Sequence, residues 1–395
     1  MEVFSPRITS SSSKIRKSPK EKFNSFNWLY KTTLTIGIAI APIRMKSSHG
    51  NTLVKMWYLG LFVFKTITLI IAFTYVFRML PGYAVNFSYY FFDSFSYIMM
   101  VTFMVKRRQI FSATKTITYL SHRISPGTFV GSKTIKYEIF LLVGSTAIIL
   151  AIFITFFFYQ EWDIYLVVIH PVFNITEKTY TWIVVFSVVS IHTLSFITCF
   201  VAVLLCYSSY LAAGGLLRVY AETIRGLKDR ISIIQNLELL QEISNSVKKI
   251  DAALRSCVFF LFGTVVGTFF AAITVLFSDN YRLQTPVARI YVVLTLVGGL
   301  IIILALTSGG ETVSEGRQLL KIALLESNKL IAGRSPDVVS PFILLADSIR
   351  NVNLEVTGCE MFAINKRLVL TIVGMIITYS FLLFQLNGES LNNRG

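Results

Sequence analysis

The stretch that most constrains this chain is its closing apolar run, Leu368 to Leu386, within GCEMFAINKRLVLTIVGMIITYSFLLFQL. At about 1.5 Å of rise per residue it is long enough to cross a bilayer as a helix. One helical face of it is less apolar than the rest. Thr371, Gly374, Thr378, Phe381 and Gln385 recur there at steps of three and four. Small and hydroxyl-bearing groups, then a carboxamide, are costly against lipid and cheap against water or a partner helix. Two readings follow from the chemistry: a helix–helix packing face, or a helix that lines an aqueous path.

The rest of the chain repeats the theme. Hydrophobic residues make up 54% and charged residues only 15%, a balance that fits several membrane spans. Apolar runs of spanning length lie at about 56–78, 83–105, 137–159, 179–206, 256–277 and 287–307, the second stopping at Lys106-Arg107-Arg108. The opening residues 1–26 are Ser/Lys-rich and read as a disordered cytoplasmic tail rather than a signal peptide. Residues 27–45 are apolar but short and basic-flanked, which suits an interfacial or re-entrant helix, with an additional span as the alternative. Cys199, Cys206, Cys257 and Cys359 fall in spans or near their cytoplasmic ends, so no extracellular disulfide is expected.

Between the fourth and fifth spans, residues 212–255 are charged but keep apolar residues at helical spacing, so both spans extend beyond the membrane. Residues 308–357 read the same way. There Ser340-Pro341 reads as a cap and first helical position. Phe342, Leu345, Ile349, Val352 and Val356 then form a packing stripe. With the N-terminus inside, cytoplasmic segments collect about thirty of the 37 Lys and Arg. This places the net charge of +16 in loops, not on a nucleic-acid surface. Asn174 of Asn174-Ile175-Thr176 then lies outside, as a glycosylation acceptor. The expectation is an all-α integral membrane protein of seven transmembrane helices, N-terminus cytoplasmic and C-terminus extracellular. Residues 387–395 form an extracellular tail.

This orientation is the reverse of a G-protein-coupled receptor, and Asp-Arg-Tyr and Asn-Pro-x-x-Tyr are absent, so no G protein is expected. Neither HExxH, GxSxG nor a phosphate loop is present, and the four histidines are scattered. No enzyme activity, cofactor or metal is expected.

The closing span carries Thr378-Tyr379, five residues, then Gln385, preceded by Gly358, Phe362, Lys366-Arg367 and Leu368. With this topology the chain resembles the insect gustatory receptors over essentially its full length. One position departs: the family's Phe after the Gln is Leu386, which keeps an apolar group and removes the ring. The resemblance implies a tastant-gated, non-selective cation channel in the plasma membrane of sensory neurons. It implies a homotetramer, or an assembly with related receptor subunits, around the seventh helix, 358–386. It further implies a six-helix ligand-binding bundle, 56–307, and a cytoplasmic anchor, in which Phe342 to Val356 form the seam. On that basis Thr371, Thr378 and Gln385 face the pore, which opens by outward movement of the seventh helices. Gln385 lies at the gate, Leu382 or Leu386 forms the apolar constriction, and Tyr379 packs between subunits. Sugar-sensing members carry Glu after the Thr-Tyr pair where this chain has Ser380, which favours a bitter-type receptor for small plant-derived compounds. A sugar-sensing member and a co-receptor subunit that binds no tastant remain as alternatives.

The family's pocket lies among the outer halves of the second to sixth spans. Those halves offer Tyr89, Asp93 and Tyr97, then Phe158 and Tyr159, Trp182 and Phe186, and Tyr291. Asp93 is either a partner for a ligand ammonium or half of a structural pair with Lys65 at similar depth.

Epitope tags test the topology. On unpermeabilised cells the C-terminal tag is expected to stain and the N-terminal tag to stay dark; the reverse pattern overturns the family resemblance.

Overall fold

The computed structural model describes residues 56, 59–67, 69, 70, 84–124, 144, 178–227, 229–276, 286–352 and 354–392. The first span is helical over 59–67. The elements that follow are α1 (Ala84–Ile124), α2 (Lys178–Arg225), α3 (Arg230–Leu276), α4 (Pro286–Ile331), α5 (Pro336–Asn351) and α6 (Lys366–Asn392). Between α5 and α6 lie two short strands, β1 (Thr357–Gly358) and β2 (Phe362–Ala363). The tail 1–26, the segment 27–45 and the third span, apart from Gly144, lie outside the described residues.

Long unbroken helices are what a lipid environment demands, because a backbone in hydrocarbon must satisfy its own polar groups. Leu194–Arg225, Arg230–Phe270 and Val292–Ile331 are long and apolar enough to cross a membrane. Each continues past the apolar stretch into a charged extension, as the sequence periodicity predicts. The second span does so as well, against expectation: α1 runs through Lys106-Arg107-Arg108 to Ile124. Beyond the basic triplet, Ile110, Ala113, Ile117 and Leu120 recur at helical spacing and are buried. The triplet therefore marks an edge of the apolar stretch and not the end of the helix. Lys106 itself donates to the Ala252 carbonyl at 3.0 Å and to Ser256 Oγ at 3.0 Å on α3.

Two further expectations need correction. The helix expected to begin at Ser340-Pro341 begins one Ser-Pro earlier, with Ser335 at the cap position and Pro336 in the first turn. Pro341 lies inside α5, where it forgoes the bond to the carbonyl four residues back. Nor is the fold purely helical. β1 and β2 pair antiparallel, Thr357 opposite Ala363 and Gly358 opposite Phe362. At the far end of the chain α6 continues to Asn392, so most of the segment read as a tail is helical.

α2 packs along α4 and α1 along α3, and one apolar core runs through all of them. The α2–α4 contact is close because small residues meet there. A Cβ added to Gly214 would lie 2.5 Å from the Thr312 carbonyl oxygen; one on Gly310, where α4 meets the link into α6, would lie 2.2 Å from the Ile364 carbonyl oxygen. At the tip of the charged extensions the Tyr220 hydroxyl donates to the Asn236 carbonyl at 2.6 Å, and Ser327 Oγ donates to the Ile224 carbonyl at 2.9 Å. Asp229 caps α3 by accepting the Ser232 amide at 3.0 Å. The ion pairs between extensions, Arg218–Glu315 and Arg225–Glu326, are solvent-exposed and contribute little.

The close approach yields a prediction with an internal control. Gly310→Ala should lower the thermal stability of the detergent-solubilised protein by about 1–3 kcal/mol through overpacking. Gly298→Ala, whose Cβ meets nothing within 4 Å, should raise it by up to about 1 kcal/mol through helix propensity. Equal effects at both positions remove the packing argument.

Candidate functional site

α6 rests on the bundle by one side only. Ile372 is buried, and Leu368, Val369, Ile376, Tyr379 and Ser380 are half-buried beside it, on the side that meets α3 and α4. The spacing of these residues is helical, so the opposite face is free of the bundle. That face carries Thr371, Gly374, Thr378 and Gln385, all exposed, with Leu382 and Phe381 exposed alongside. Leu370 and Ile377, on the flank of this strip, are exposed to 74% and 63%. Thr371 Oγ1 donates to the Arg367 carbonyl at 3.3 Å and Thr378 Oγ1 to the Gly374 carbonyl at 2.9 Å. Each hydroxyl proton is thus satisfied within the helix, while the oxygen keeps lone pairs to offer outward. The Tyr379 ring packs at 4.4 Å between centroids on Phe270 of its own chain. For Leu386 the helical backbone alone is described.

A second group of polar residues is buried where the first span, α1 and α2 meet. Lys65 is only 4% exposed. Its ammonium donates to Ser96 Oγ at 3.1 Å and to Thr198 Oγ1 at 3.5 Å. Ser96 donates onward to the Ser195 carbonyl at 3.3 Å, and Thr198 to the Leu194 carbonyl at 2.7 Å. Asp93, half-buried one turn from Ser96, acts on Lys65 electrostatically. Hydroxyls thus hold the ammonium directly, with the Asp93 charge acting on it from nearby. Tyr97 lies beside it, its hydroxyl 2.8 Å from Thr66 Oγ1 and its ring 5.8 Å from Phe62.

Of the other expected pocket residues, Tyr89 is on α1, Trp182 and Phe186 are on α2, and Tyr291 is on α4, with helical backbones alone described. Phe158, Tyr159 and the Asn174 acceptor lie outside the described residues. The stripe on α5 packs on α3 and α4, with Phe342, Leu345 and Ile349 buried. Val352, just past the helix, is half-buried, and Val356 is buried immediately before β1. Among the described residues no group of three or more His, Cys, Asp and Glu is placed to hold a metal ion.

Asp251 and Arg255, one turn apart on α3, are a pair the sequence reading passed over. Asp251 Oδ1 accepts the Thr357 amide at 2.7 Å, and the Thr357 hydroxyl lies 3.2 Å from Oδ2. Burial raises this carboxyl above the ordinary carboxylate range, against the opposing pull of the Thr357 bonds, Arg255 and Lys106. Arg255 pairs with Glu360 and accepts the Cys359 amide on its carbonyl at 3.3 Å. The available signal was an Asp and an Arg four apart where the charged stretch gives way to the apolar span.

The buried cluster makes its own prediction. Asp93→Ala should lower the stability of ligand-free protein by about 1–3 kcal/mol, because the Lys65 ammonium stays buried without its nearby countercharge. Adding Lys65→Met should restore it, as read by thermal unfolding. An unchanged midpoint in the single variant removes the structural pairing.

The fold has solved counterparts. The insect olfactory receptor OR5 from Machilis hrabei superposes with a TM-score of 0.69 at 15% identity, covering 91% of this chain and 97% of that one. The same receptor in complex with eugenol gives a TM-score of 0.61 at 16% identity, covering 91% and 98%. No family profile matches the sequence, and no curated protein does. The chain is mostly helical, carries apolar helices of membrane-spanning length and has the fold of an insect olfactory receptor.

Proposed function

We propose that the chain is a gustatory receptor: a tastant-gated, non-selective cation channel for small plant-derived, bitter-type compounds, built from four copies around α6. The observation that carries this reading is the exposed polar strip of α6 in a chain with an olfactory receptor's fold. Four copies of Thr371, Thr378 and Gln385 would line a water-filled path. A ring of Leu382 or Leu386 side chains would close it by dewetting, and the Gln385 carboxamides would offer carbonyls to a passing cation. Assembly is supported from the cytoplasmic side. Ile343 and Leu344, each 59% exposed on α5, present apolar surface beyond the membrane spans that a second copy would cover. The buried seam of Phe342, Leu345 and Ile349 would anchor that surface to α3 and α4.

In this reading tastant binds near Asp93 and Tyr97, and the α6 helices move outward on opening. One observation favours the alternative of a subunit that binds no tastant: Lys65, Thr66, Ser96 and Tyr97 already satisfy one another. The same fold would serve either role.

Expression of the chain alone, with a screen of plant alkaloids, glycosides and sugars, separates the two. A cation current from the single subunit supports the receptor reading, and silence at verified surface expression favours the partner-dependent one. The pore face is tested by cysteine scanning with a charged, membrane-impermeant thiol reagent applied outside. Gln385→Cys should react at rest and Thr378→Cys should react faster during evoked current. Ile377→Cys should stay inert, and equal reactivity of Ile377→Cys and Thr378→Cys sinks the pore assignment.

A further inference from the structure

The link between α5 and α6 is short and strained. At its turn Gly358 accepts the Met361 amide at 3.0 Å, and the two central residues, Cys359 and Glu360, have φ of 52° and 63°. Two consecutive left-handed residues with side chains cost roughly 1–2 kcal/mol each. Neither is the Gly or Asn that such a turn normally uses. A conformation of this kind persists where surrounding contacts over-determine it, and such contacts are present here.

Those at the turn itself come from α3. Asp251 receives the Thr357 amide and hydroxyl, Arg255 pairs with Glu360, and the Arg255 carbonyl receives the Cys359 amide. The Phe362 ring packs on Phe262 at 5.4 Å and on Phe259 at 6.5 Å. On the other side the hairpin runs directly into α6. The Ile364 amide donates to the Val356 carbonyl at 3.0 Å, its carbonyl abuts Gly310, and Asn365 caps α6 by accepting the Arg367 amide at 3.0 Å. The root of α6 is therefore held by the hairpin, and the hairpin by α3, with α4 adding the ion pairs Arg317–Glu355 and Lys366–Glu311. α3 is one unbroken helix from Arg230 to Leu276. Toward the membrane it packs on α1, where Phe260 meets Phe95 at 5.7 Å, two residues from Asp93.

We infer that Asp251 and Arg255 are positioning residues that hold the closing helix in its resting orientation, so that movement of the bundle reaches the pore through the hairpin. This rests on the pore reading of α6. A shift or rotation of α3 carries Asp251 and Arg255 with it, and the strained turn moves as one piece because its amides are held. Releasing the clip frees the root of α6 from α3 and lowers the cost of leaving the resting state.

The test uses the full-length chain without ligand and needs no tastant. Hydrogen exchange of the peptide spanning 354–364 reports whether the hairpin is docked, and protection of α3 reports whether the fold is intact. The rate at which an external charged thiol reagent modifies Thr378→Cys reports the state of the pore. Asp251→Ala and Arg255→Glu should each deprotect the hairpin while α3 stays protected. Each should also speed modification of Thr378→Cys by at least about threefold. Adding Glu360→Arg to Arg255→Glu should return both readings toward the starting chain. If Asp251→Ala fails to reach the surface, the charge-swap pair decides, because an exposed ion pair contributes little to stability. A deprotected hairpin with an unchanged or slower rate overturns the proposal, as does a hairpin that stays protected in both single variants. If Ile377→Cys reacts as fast as Thr378→Cys, the pore reading itself has failed, and the proposal with it.

Discussion

Backbone meets backbone where α2 crosses α4, and much of the architecture depends on that approach. Gly214 lets the Thr312 carbonyl come closer than any side chain would permit, and Gly316 does the same for Leu217 and the Gly214 carbonyl. Helices that approach this closely gain dispersion contacts along their whole length, which matters most in lipid, where apolar burial supplies no driving force. The contact sits just past the apolar stretch of each helix, so it fixes the angle at which both extensions leave the membrane. Tyr220 with Asn236 and Ser327 with Ile224 then close the far end.

Three charged groups of this bundle share a pattern. Lys65 and Lys106 each direct the ammonium at hydroxyl or carbonyl oxygens, and Asp251 directs its carboxylate at an amide and a hydroxyl. A buried charge satisfied by dipoles costs less than a bare one and stays responsive to nearby charges. Such groups hold geometry without making the rigid, fully neutralised contact of a direct pair.

Much of this was legible in the residues. Apolar run lengths located the helices, and periodicity in the charged stretches showed that they continue beyond the membrane. The stripe on α5 was readable from Phe342, Leu345 and Ile349 because three-four spacing has one simple interpretation. The strip on α6 was readable for the same reason. Other features depended on partners distant in sequence. Nothing local marks Gly214 as facing Thr312, or Thr198 as an acceptor for Lys65. The basic triplet after Val105 looked like a helix end because charge and periodicity change at the same place. The hairpin was hidden because Cys359 and Glu360 are unusual choices for left-handed positions; contacts from α3, not local preference, select that turn.

The clip also sets an order of events during synthesis. Asp251 and Thr357 are 106 residues apart in sequence. At about 5–20 residues per second, a ribosome needs about 5 to 20 seconds to deliver the second after the first. Through that interval α3 already exists, with its carboxylate and guanidinium unmated and the aromatic surface of Phe259 and Phe262 uncovered. The hairpin docks only after α4 and α5 have emerged, and α6 follows it. A nascent chain thus passes through an unfinished state, and docking of the turn ends that exposure.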